Sequence, residues 1–166
     1  MPLCFAYGSN MDVAAMAARC PRSKPLGLAR LPRHRLAVMR EGWLTATRDQ
    51  RGEVHGVLWE VALSDMRALD RYEGLLDGLY AKLSQPVIAQ GGPRRALIYF
   101  GANSGPGVAQ AAYIAAVLQA ARGWPLPETA IARLETFAAL AGVAEPTRDS
   151  APPRVKPLFA TPLERK

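Results

Sequence analysis

Two short segments, about sixty residues apart, carry residue types that could do chemistry. The first is Phe5–Met11, with the sequence FAYGSNM, and the second is Leu69–Gly74, with the sequence LDRYEG. A loop rich in backbone N–H groups can hold an anion. A carboxylate at a helix-to-turn junction can act as a base when it is partly buried. Together the segments indicate an enzyme that binds a small charged substrate and removes one proton.

The first segment predicts a strand that breaks into a small polar loop and then opens a helix. Gly8 permits a positive φ or the close approach of a ligand, and Ser9 and Asn10 add a hydroxyl and an amide. Asn10 is also a good N-cap for a helix over Met11–Arg19, whose positive N-terminal end favours an anion. A plain strand-to-helix turn with an Asn cap is the alternative for this segment taken alone.

The second segment predicts the end of a short helix that Ser64 caps and Gly74 terminates. Glu73 lies at the turn and Asp70 lies one helical turn earlier, so either carboxylate could be taken for the functional acid. The alternative is a solvated acid near a helix end, with surface pairs among Asp70, Arg71 and Glu73 that contribute little to stability.

In their order and spacing, these segments resemble the γ-glutamylcyclotransferase family. The YGSN loop and the LDRYEG turn, followed by Tyr80, are the motifs that carry the resemblance. Gly52–Val61 looks like the family's strand before the catalytic acid. Val108–Pro127, which includes Tyr113, looks like the family's helix ending in Gly-Leu-Pro. The similarity extends from Pro2 to about Leu140.

The resemblance implies an α+β fold in which a small mixed β-barrel, closed or nearly closed, is flanked by helices. It implies that a γ-glutamyl amine or amino acid cyclises to 5-oxoproline and releases the free amine. Glu73 is then the general base. The implied substrate-binding residues are Tyr7, Gly8, Ser9, Asn10, Tyr80 and Tyr113. The residue types support this chemistry, because the loop could bind the substrate α-carboxylate and Glu73 could accept a proton from the α-ammonium group.

This chemistry calls for no metal and no cofactor. The attacking amine and the carbonyl belong to one molecule, which the enzyme has only to fold. His34 and His55 lack a partner Cys or Ser at a suggestive position, so we expect both to be structural. Cys4 and Cys20 have no metal-like spacing, and we expect buried, reduced thiols.

A non-catalytic small-molecule-binding module on the same fold is the alternative function. Glu73 in the family's position favours the enzyme, since Gln or Ala there would favour a binder. The net charge of +7 could also indicate a nucleic-acid-binding barrel. The basic residues are dispersed, however, and those of Arg30–Arg40 alternate with apolar residues as on the outer face of a half-buried strand. We therefore expect a small-molecule γ-glutamyl substrate and no nucleic-acid or membrane partner, with the oligomeric state unknown.

Length and composition predict one domain and a tail. A chain of 166 residues can bury a core of its own. No apolar run approaches the roughly 20 residues of a membrane span, and the first residues do not form a secretory signal, so we expect a cytoplasmic protein. We assign the domain to residues 1–145 and an extended Pro-rich tail to residues 146–166.

Strand and turn patterns predict the remaining elements. Val54–Val61 is typical of a buried strand, with Gly56 allowing another backbone to approach closely. Trp43–Thr47 predicts a separate β segment, divided from it by a turn at Asp49–Gly52. Further strands are expected within residues 26–39, 79–89 and 96–100, and two helices over residues 108–122 and 127–140.

Overall fold

Five strands and four helices are distributed along residues 1–143, the part of the chain that the computed structural model describes. The strands are β1 (Leu3–Ala6), β2 (Lys24–Val38), β3 (Leu44–Glu60), β4 (Tyr80–Ala89) and β5 (Gly92–Gly101). The helices are α1 (Val13–Arg19), α2 (Leu63–Tyr72), α3 (Ala111–Arg122) and α4 (Glu128–Val143), and a 3-10 turn spans Ser9–Met11. The tail expected at residues 146–166 lies outside the described residues.

The strands close into a barrel in the order β1-β3-β2-β4-β5. Neighbouring strands run antiparallel except β1 and β5, which run parallel and meet at Cys4 and Leu97. A closed barrel leaves no sheet edge unpaired. The prediction of an α+β fold with a small mixed barrel flanked by helices is confirmed.

The interior is filled by large apolar side chains from strands and helices alike. Phe5, Leu31, Leu44 and Ile98 come from four different strands, and each is at most 1% exposed. Burying a side chain of this size stabilises the fold by about 1.5–3 kcal/mol. Such a core holds the strands, and the loops that follow them, in fixed positions.

Helices α3 and α4 pack together beside the barrel. The buried stripe of α3 consists of Ile114, Val117, Leu118 and Ala121. In the connection between the two helices, the indole N–H of Trp124 donates to the carbonyl of Met11 at 2.9 Å. The helical pair therefore supports the Ser9–Met11 turn from outside. Within residues 1–143, no helix combines the length and apolar character needed to cross a membrane.

Gly56 determines how closely β1 can lie against β3. A Cβ atom at this position would stand 2.1 Å from the carbonyl oxygen of Ala6, a distance that packed atoms do not adopt. The expected close approach at Gly56 is therefore confirmed. It matters for the site because Ala6 is the last residue of β1 before the YGSN loop.

The predicted turn at Asp49–Gly52 is wrong, because these residues lie inside β3. Strands β2 and β3 form one long antiparallel hairpin whose register shifts near Gly27 and near Arg33. Arg33 has a φ of 58°, and residues 49–52 lie opposite this irregularity. The turn-forming residues thus bend a long strand around the barrel instead of reversing the chain.

The predicted cap at the start of the first helix is also wrong. Asp12 caps α1, since its carboxylate accepts a hydrogen bond from the N–H of Ala15 at 2.9 Å. The 3-10 turn delays the start of the helix to Val13. Asn10 lies within this turn, and its side chain is used elsewhere.

The two ends of α2 differ in how well the sequence predicts them. Ala62 and not Ser64 is the N-cap, and no side-chain hydrogen bond caps the helix. The other end conforms to expectation: α2 ends at Tyr72, Glu73 is the C-cap, and Gly74 follows with a φ of 64°. Glycine is the usual residue for this left-handed position. Glu73 is therefore held where a helix changes into a turn.

Candidate functional site

A narrow pocket opens where β1 ends, between the Ser9–Met11 turn and the C-terminal end of α2. It contains about 370 Å³ of space not filled by protein atoms, part of it open to solvent. The lining residues are Cys4, Phe5, Ala6, Tyr7, Gly8, Ser9, Asn10, Leu44, Glu73, Tyr80, Tyr99 and Tyr113. The structure thus brings together all seven residues that the sequence analysis assigned to catalysis or substrate binding.

Glu73 contributes the only carboxyl group among the twelve lining residues. The residue is 5% exposed, and its backbone N–H donates to Leu69 at 3.0 Å as the last turn of α2 closes. The side-chain amide of Asn10 donates to Oε1 of Glu73 at 2.6 Å. A C-terminal helix end does not stabilise a negative charge, so the Asn10 amide is a significant stabilising neighbour of this carboxylate.

Asp70, the second carboxylate of the acidic segment, has a different environment. The ammonium nitrogen of Lys82 lies 2.7 and 2.9 Å from its two oxygens, and the hydroxyl of Tyr99 donates to it at 2.6 Å. Asp70 does not line the pocket. Its carboxylate therefore fixes Tyr99 from behind the pocket wall.

Tyr80 on β4 and Tyr113 on α3 meet at one residue of β3. The hydroxyl of Tyr80 donates to the carbonyl of Leu44 at 2.6 Å. The N–H of Leu44 donates to the oxygen of Tyr113 at 3.3 Å. Because the Tyr113 oxygen accepts this bond, its own O–H proton can be donated to another group. Both phenols are thus held by Leu44, but Tyr80 donates a hydrogen bond to it and Tyr113 accepts one from it.

Gly8 is the point at which the YGSN loop approaches α3. A Cβ atom there would lie 3.2 Å from the hydroxyl oxygen of Tyr113. The φ of Gly8 is −129°, so the glycine is not required by a positive φ. It is explained by the close approach of Tyr113, which leaves little space for a side chain. A larger side chain would press on Tyr113 or fill the pocket.

The side chains of Tyr7 and Ser9 fasten the loop to its surroundings. The phenol of Tyr7 donates to the carbonyl of Tyr99 on β5 at 2.5 Å. The hydroxyls of Ser9 and Tyr72 are hydrogen-bonded at 2.8 Å. One bond joins the loop to the barrel and the other joins it to α2, so the backbone of the loop has a fixed position beside Glu73.

Tyr99 is a pocket residue that the sequence analysis did not single out. The pattern of residues 96–100 predicted only a strand, and it is β5 closing against α2 that brings Tyr99 to Asp70. Cys4 and Leu44 were missed in the same way, since each is an ordinary strand residue in sequence. No local motif could have found them.

Burial raises the pKa of all four pocket tyrosines above the ordinary value of 10.0, and the nearby charge of Glu73 adds to the effect. These residues are Tyr7, Tyr80, Tyr99 and Tyr113. Burial likewise raises the pKa of the Cys4 thiol above 9.0. The pocket walls thus consist of neutral hydrogen-bonding groups around one carboxylate.

Residues 4–117 match the family model described as gamma-glutamyl cyclotransferase, AIG2-like. The chain belongs to this family. The matched range is more than half of the chain and contains every residue that lines the pocket. The resemblance inferred from the YGSN and LDRYEG segments is therefore confirmed.

A bovine protein named gamma-glutamylcyclotransferase is 30% identical over 100 residues, which cover 54% of this chain and 53% of the bovine protein. The chain thus spans about half the length of the curated relatives it matches. A solved structure named gamma-glutamyl cyclotransferase is 25% identical with a TM-score of 0.75, covering 81% of this chain and 86% of that one. A human protein described as uncharacterized is 24% identical with a TM-score of 0.76, covering 90% and 91%, and shares the fold.

Proposed function

We propose that the chain catalyses γ-glutamyl cyclotransfer, converting a γ-glutamyl amine or amino acid to 5-oxoproline and the free amine. The observation that carries the proposal is the buried Glu73 carboxylate, which shares one pocket with the YGSN loop and the tyrosines of β4 and α3. Membership of the γ-glutamyl cyclotransferase family supports the type of reaction. The buried, unpaired cysteines agree with a reducing compartment, and we propose the cytoplasm.

The YGSN loop provides the binding site for the substrate α-carboxylate. The hydrogen bonds that form the 3-10 turn use the N–H groups of Met11 and Asp12, at 3.0 and 3.3 Å. The N–H groups of Gly8, Ser9 and Asn10 have no partner within the turn, as at any helix start. Because these residues line the pocket, their amides can bind an anion there.

Glu73 moves the proton that the cyclisation requires. The α-ammonium group of the substrate gives a proton to the carboxylate, and the resulting amine attacks the γ-carbonyl carbon of the same molecule. A new C–N bond closes the five-membered ring, and the original amide C–N bond breaks. The carboxylic acid of Glu73 gives its proton to the departing nitrogen as that bond breaks, which regenerates the carboxylate. The carboxylate then takes the second proton from the ring nitrogen and passes it to the released amine, which leaves as an ammonium ion.

Tyr113 stabilises the negative charge that develops on the γ-carbonyl oxygen. Its oxygen already accepts a bond from Leu44, which holds the phenol in place while its proton points to another partner. A donor that is fixed before the reaction needs no reorganisation when the charge appears. Tyr80 donates to the carbonyl of Leu44 and supplies an apolar ring face to the glutamyl methylene groups.

A small-molecule-binding module without catalysis is the rival function. Such a module needs a pocket of the right shape but no proton acceptor next to the bound ammonium group. A buried carboxylate is costly to maintain, and Glu73 is 5% exposed with the Asn10 amide bonded to it. This arrangement favours the enzyme over the binder.

The test is to incubate the protein with a panel of γ-glutamyl amino acids, peptides and amines and to quantify 5-oxoproline by mass spectrometry. We expect release of 5-oxoproline and of the matching amine in equal amounts from at least one compound. Glu73→Gln is the inactive control. Arg67→Met is the matched surface control, since Arg67 is exposed on α2 and does not line the pocket. Saturable binding without turnover by the wild-type protein would favour the rival.

A further inference from the structure

A chain of two hydrogen bonds links a guanidinium group to the candidate base. Arg19, the last residue of α1, donates from Nη1 to the side-chain oxygen of Asn10. The amide nitrogen of Asn10 in turn donates to Oε1 of Glu73 at 2.6 Å. Asn10 and Glu73 are buried, and Arg19 is half-buried beneath them. A positive charge thus reaches a carboxylate through one intervening amide.

The guanidinium group determines which end of the amide faces Glu73. An asparagine side chain has an acceptor end and a donor end of nearly the same shape. Arg19 can only donate, so its bond holds the oxygen of Asn10 on its own side and turns the NH₂ group toward Glu73. A cation on the amide oxygen also polarises the amide and strengthens the bond it donates.

The side chain of Arg19 is itself held in place by two neighbouring side chains. Its guanidinium carbon lies 3.3 Å from the centroid of the Tyr72 ring, and Nη1 lies 3.8 Å from the sulfur of Met16. Tyr72 is the residue that bonds Ser9 of the loop. Stacking on an aromatic face and donating in a fixed plane is a geometry that arginine adopts and lysine does not.

The guanidinium group of Arg19 contacts neutral side chains. None of the salt bridges among residues 1–143 includes it, and it does not line the pocket. Its closest polar partner is the neutral Asn10 amide. Two hydrogen bonds, through Asn10, therefore connect this charge to Glu73.

We propose that Arg19 is a positioning residue that acts through Asn10 to keep the Glu73 carboxylate oriented toward the substrate. This rests on the proposed function, in which Glu73 is the base. Arg19 makes no contact with substrate in this scheme. It acts by fixing the orientation of the Asn10 amide, so that a donor faces Glu73 throughout the catalytic cycle.

The first test compares Arg19→Met, Arg19→Lys and the surface control Arg67→Met in the full chain, with a γ-glutamyl substrate that the wild-type protein turns over. Hydrogen bonds to charged groups are strong enough that we expect kcat to fall about 10- to 100-fold in Arg19→Met, with KM nearly unchanged. The loss should fall on kcat and not on KM, because Arg19 does not contact the substrate in this scheme. Arg19→Lys should recover part of the loss, and Arg67→Met should behave as wild type.

The second test asks whether Arg19 acts through Asn10. In an Asn10→Ala background, Arg19→Met should have little further effect on kcat, whereas independent roles would give additive losses. A purely structural role would lower the melting temperature in Arg19→Met without a selective loss of kcat in the folded protein. NMR of the Asn10 side-chain amide should show slow proton exchange in the wild type and faster exchange in Arg19→Met and Arg19→Lys, whether or not substrate is present.

The outcomes separate the two proposals. The role of Arg19 is overturned, and the proposed function left intact, if the wild-type protein turns over substrate and folded Arg19→Met has an unchanged kcat. Where Arg19→Met does not fold, an unchanged kcat in Arg19→Lys has the same meaning. Absence of turnover by the wild-type protein on every γ-glutamyl compound overturns the proposed function and the role of Arg19 with it. A loss confined to the Arg19 variants and absent in the Asn10→Ala background supports both.

Discussion

Asn10 and Glu73 lie 63 residues apart in the sequence, yet the amide nitrogen of one is 2.6 Å from a carboxylate oxygen of the other. The contact joins the loop after β1 to the end of α2 and is buried. It unites the two segments that first indicated chemistry, because one contains the loop that we propose to bind the substrate carboxylate and the other contains the proposed base. The expected consequences of this arrangement can each be measured.

Space at Gly8 should control substrate binding. Gly8→Ala places a Cβ 3.2 Å from the Tyr113 hydroxyl, which requires a small shift, and Gly8→Val requires a larger one. We expect KM to rise in the order Gly, Ala, Val, with a smaller change in the midpoint of urea unfolding. In a Tyr113→Phe background the effect of Gly8→Ala should diminish, since the opposing oxygen is gone. An equal rise of KM in both backgrounds would show that Gly8 acts by another route.

Tyr80→Phe and Tyr113→Phe should have different effects although both phenols contact Leu44. Tyr80→Phe leaves the Leu44 carbonyl without its donor, and we expect unfolding free energy to fall by about 1–3 kcal/mol. Tyr113→Phe removes an acceptor and the proposed oxyanion donor, so kcat should fall more than stability does. Steady-state kinetics and urea titrations of both variants give the comparison. A larger kcat loss in Tyr80→Phe than in Tyr113→Phe would mean that Tyr80, and not Tyr113, is the oxyanion donor.

Stability should decline in alkaline solution because of the pocket tyrosines. Burial raises the pKa of Tyr80 and Tyr99 in the folded protein above 10.0, so above about pH 10 the unfolded chain loses phenol protons that the folded protein keeps. The contribution of the phenols to the free energy of unfolding therefore holds below about pH 10 and falls as the pH rises further. The Cys20 thiol, whose pKa burial raises from 9.0 to about 11, adds a decline that begins near pH 9.

Urea unfolding at a series of pH values between 8 and 11 measures this decline. Tyr99→Phe should flatten the curve above pH 10, and Cys20→Ala should flatten it between pH 9 and 11. Parallel curves for wild type and Tyr99→Phe would mean that the phenol titrates alike in the folded and unfolded chain.

The sequence predicts the parts of the site that depend on local structure. Glu73 at a helix end followed by Gly74 is a local pattern, and so is the loop that follows β1. The family resemblance added Tyr80 and Tyr113, which no local pattern would have joined to the pocket. The N-cap at Asn10 was a sound local expectation, but a buried carboxylate from a distant segment is a stronger partner for its amide than the backbone N–H groups of α1.

Other features depend on how the barrel closes. Tyr99 reaches the pocket because β5 pairs with β1. Its hydrogen bond to Asp70 also requires α2 to lie next to β5. Asp49–Gly52 has turn-forming residues, yet long-range pairing with β2 keeps the strand continuous. Arg19 is an ordinary residue in the last turn of a helix until Asn10 and Tyr72 are beside it. Contacts between distant segments determine each of these outcomes.

Glu73→Gln tests the central claim most directly. The substitution keeps the size of the side chain and removes its basicity, and general-base catalysis contributes about 10²–10⁴-fold. Asp70→Asn is the matched control, because it weakens the pair with Lys82 and the bond from Tyr99 without changing a pocket-lining residue. For 5-oxoproline release by folded protein, we expect Glu73→Gln to reduce kcat at least 100-fold and Asp70→Asn to act chiefly on stability. Near-native turnover in Glu73→Gln, with turnover lost in Asp70→Asn, would contradict the account.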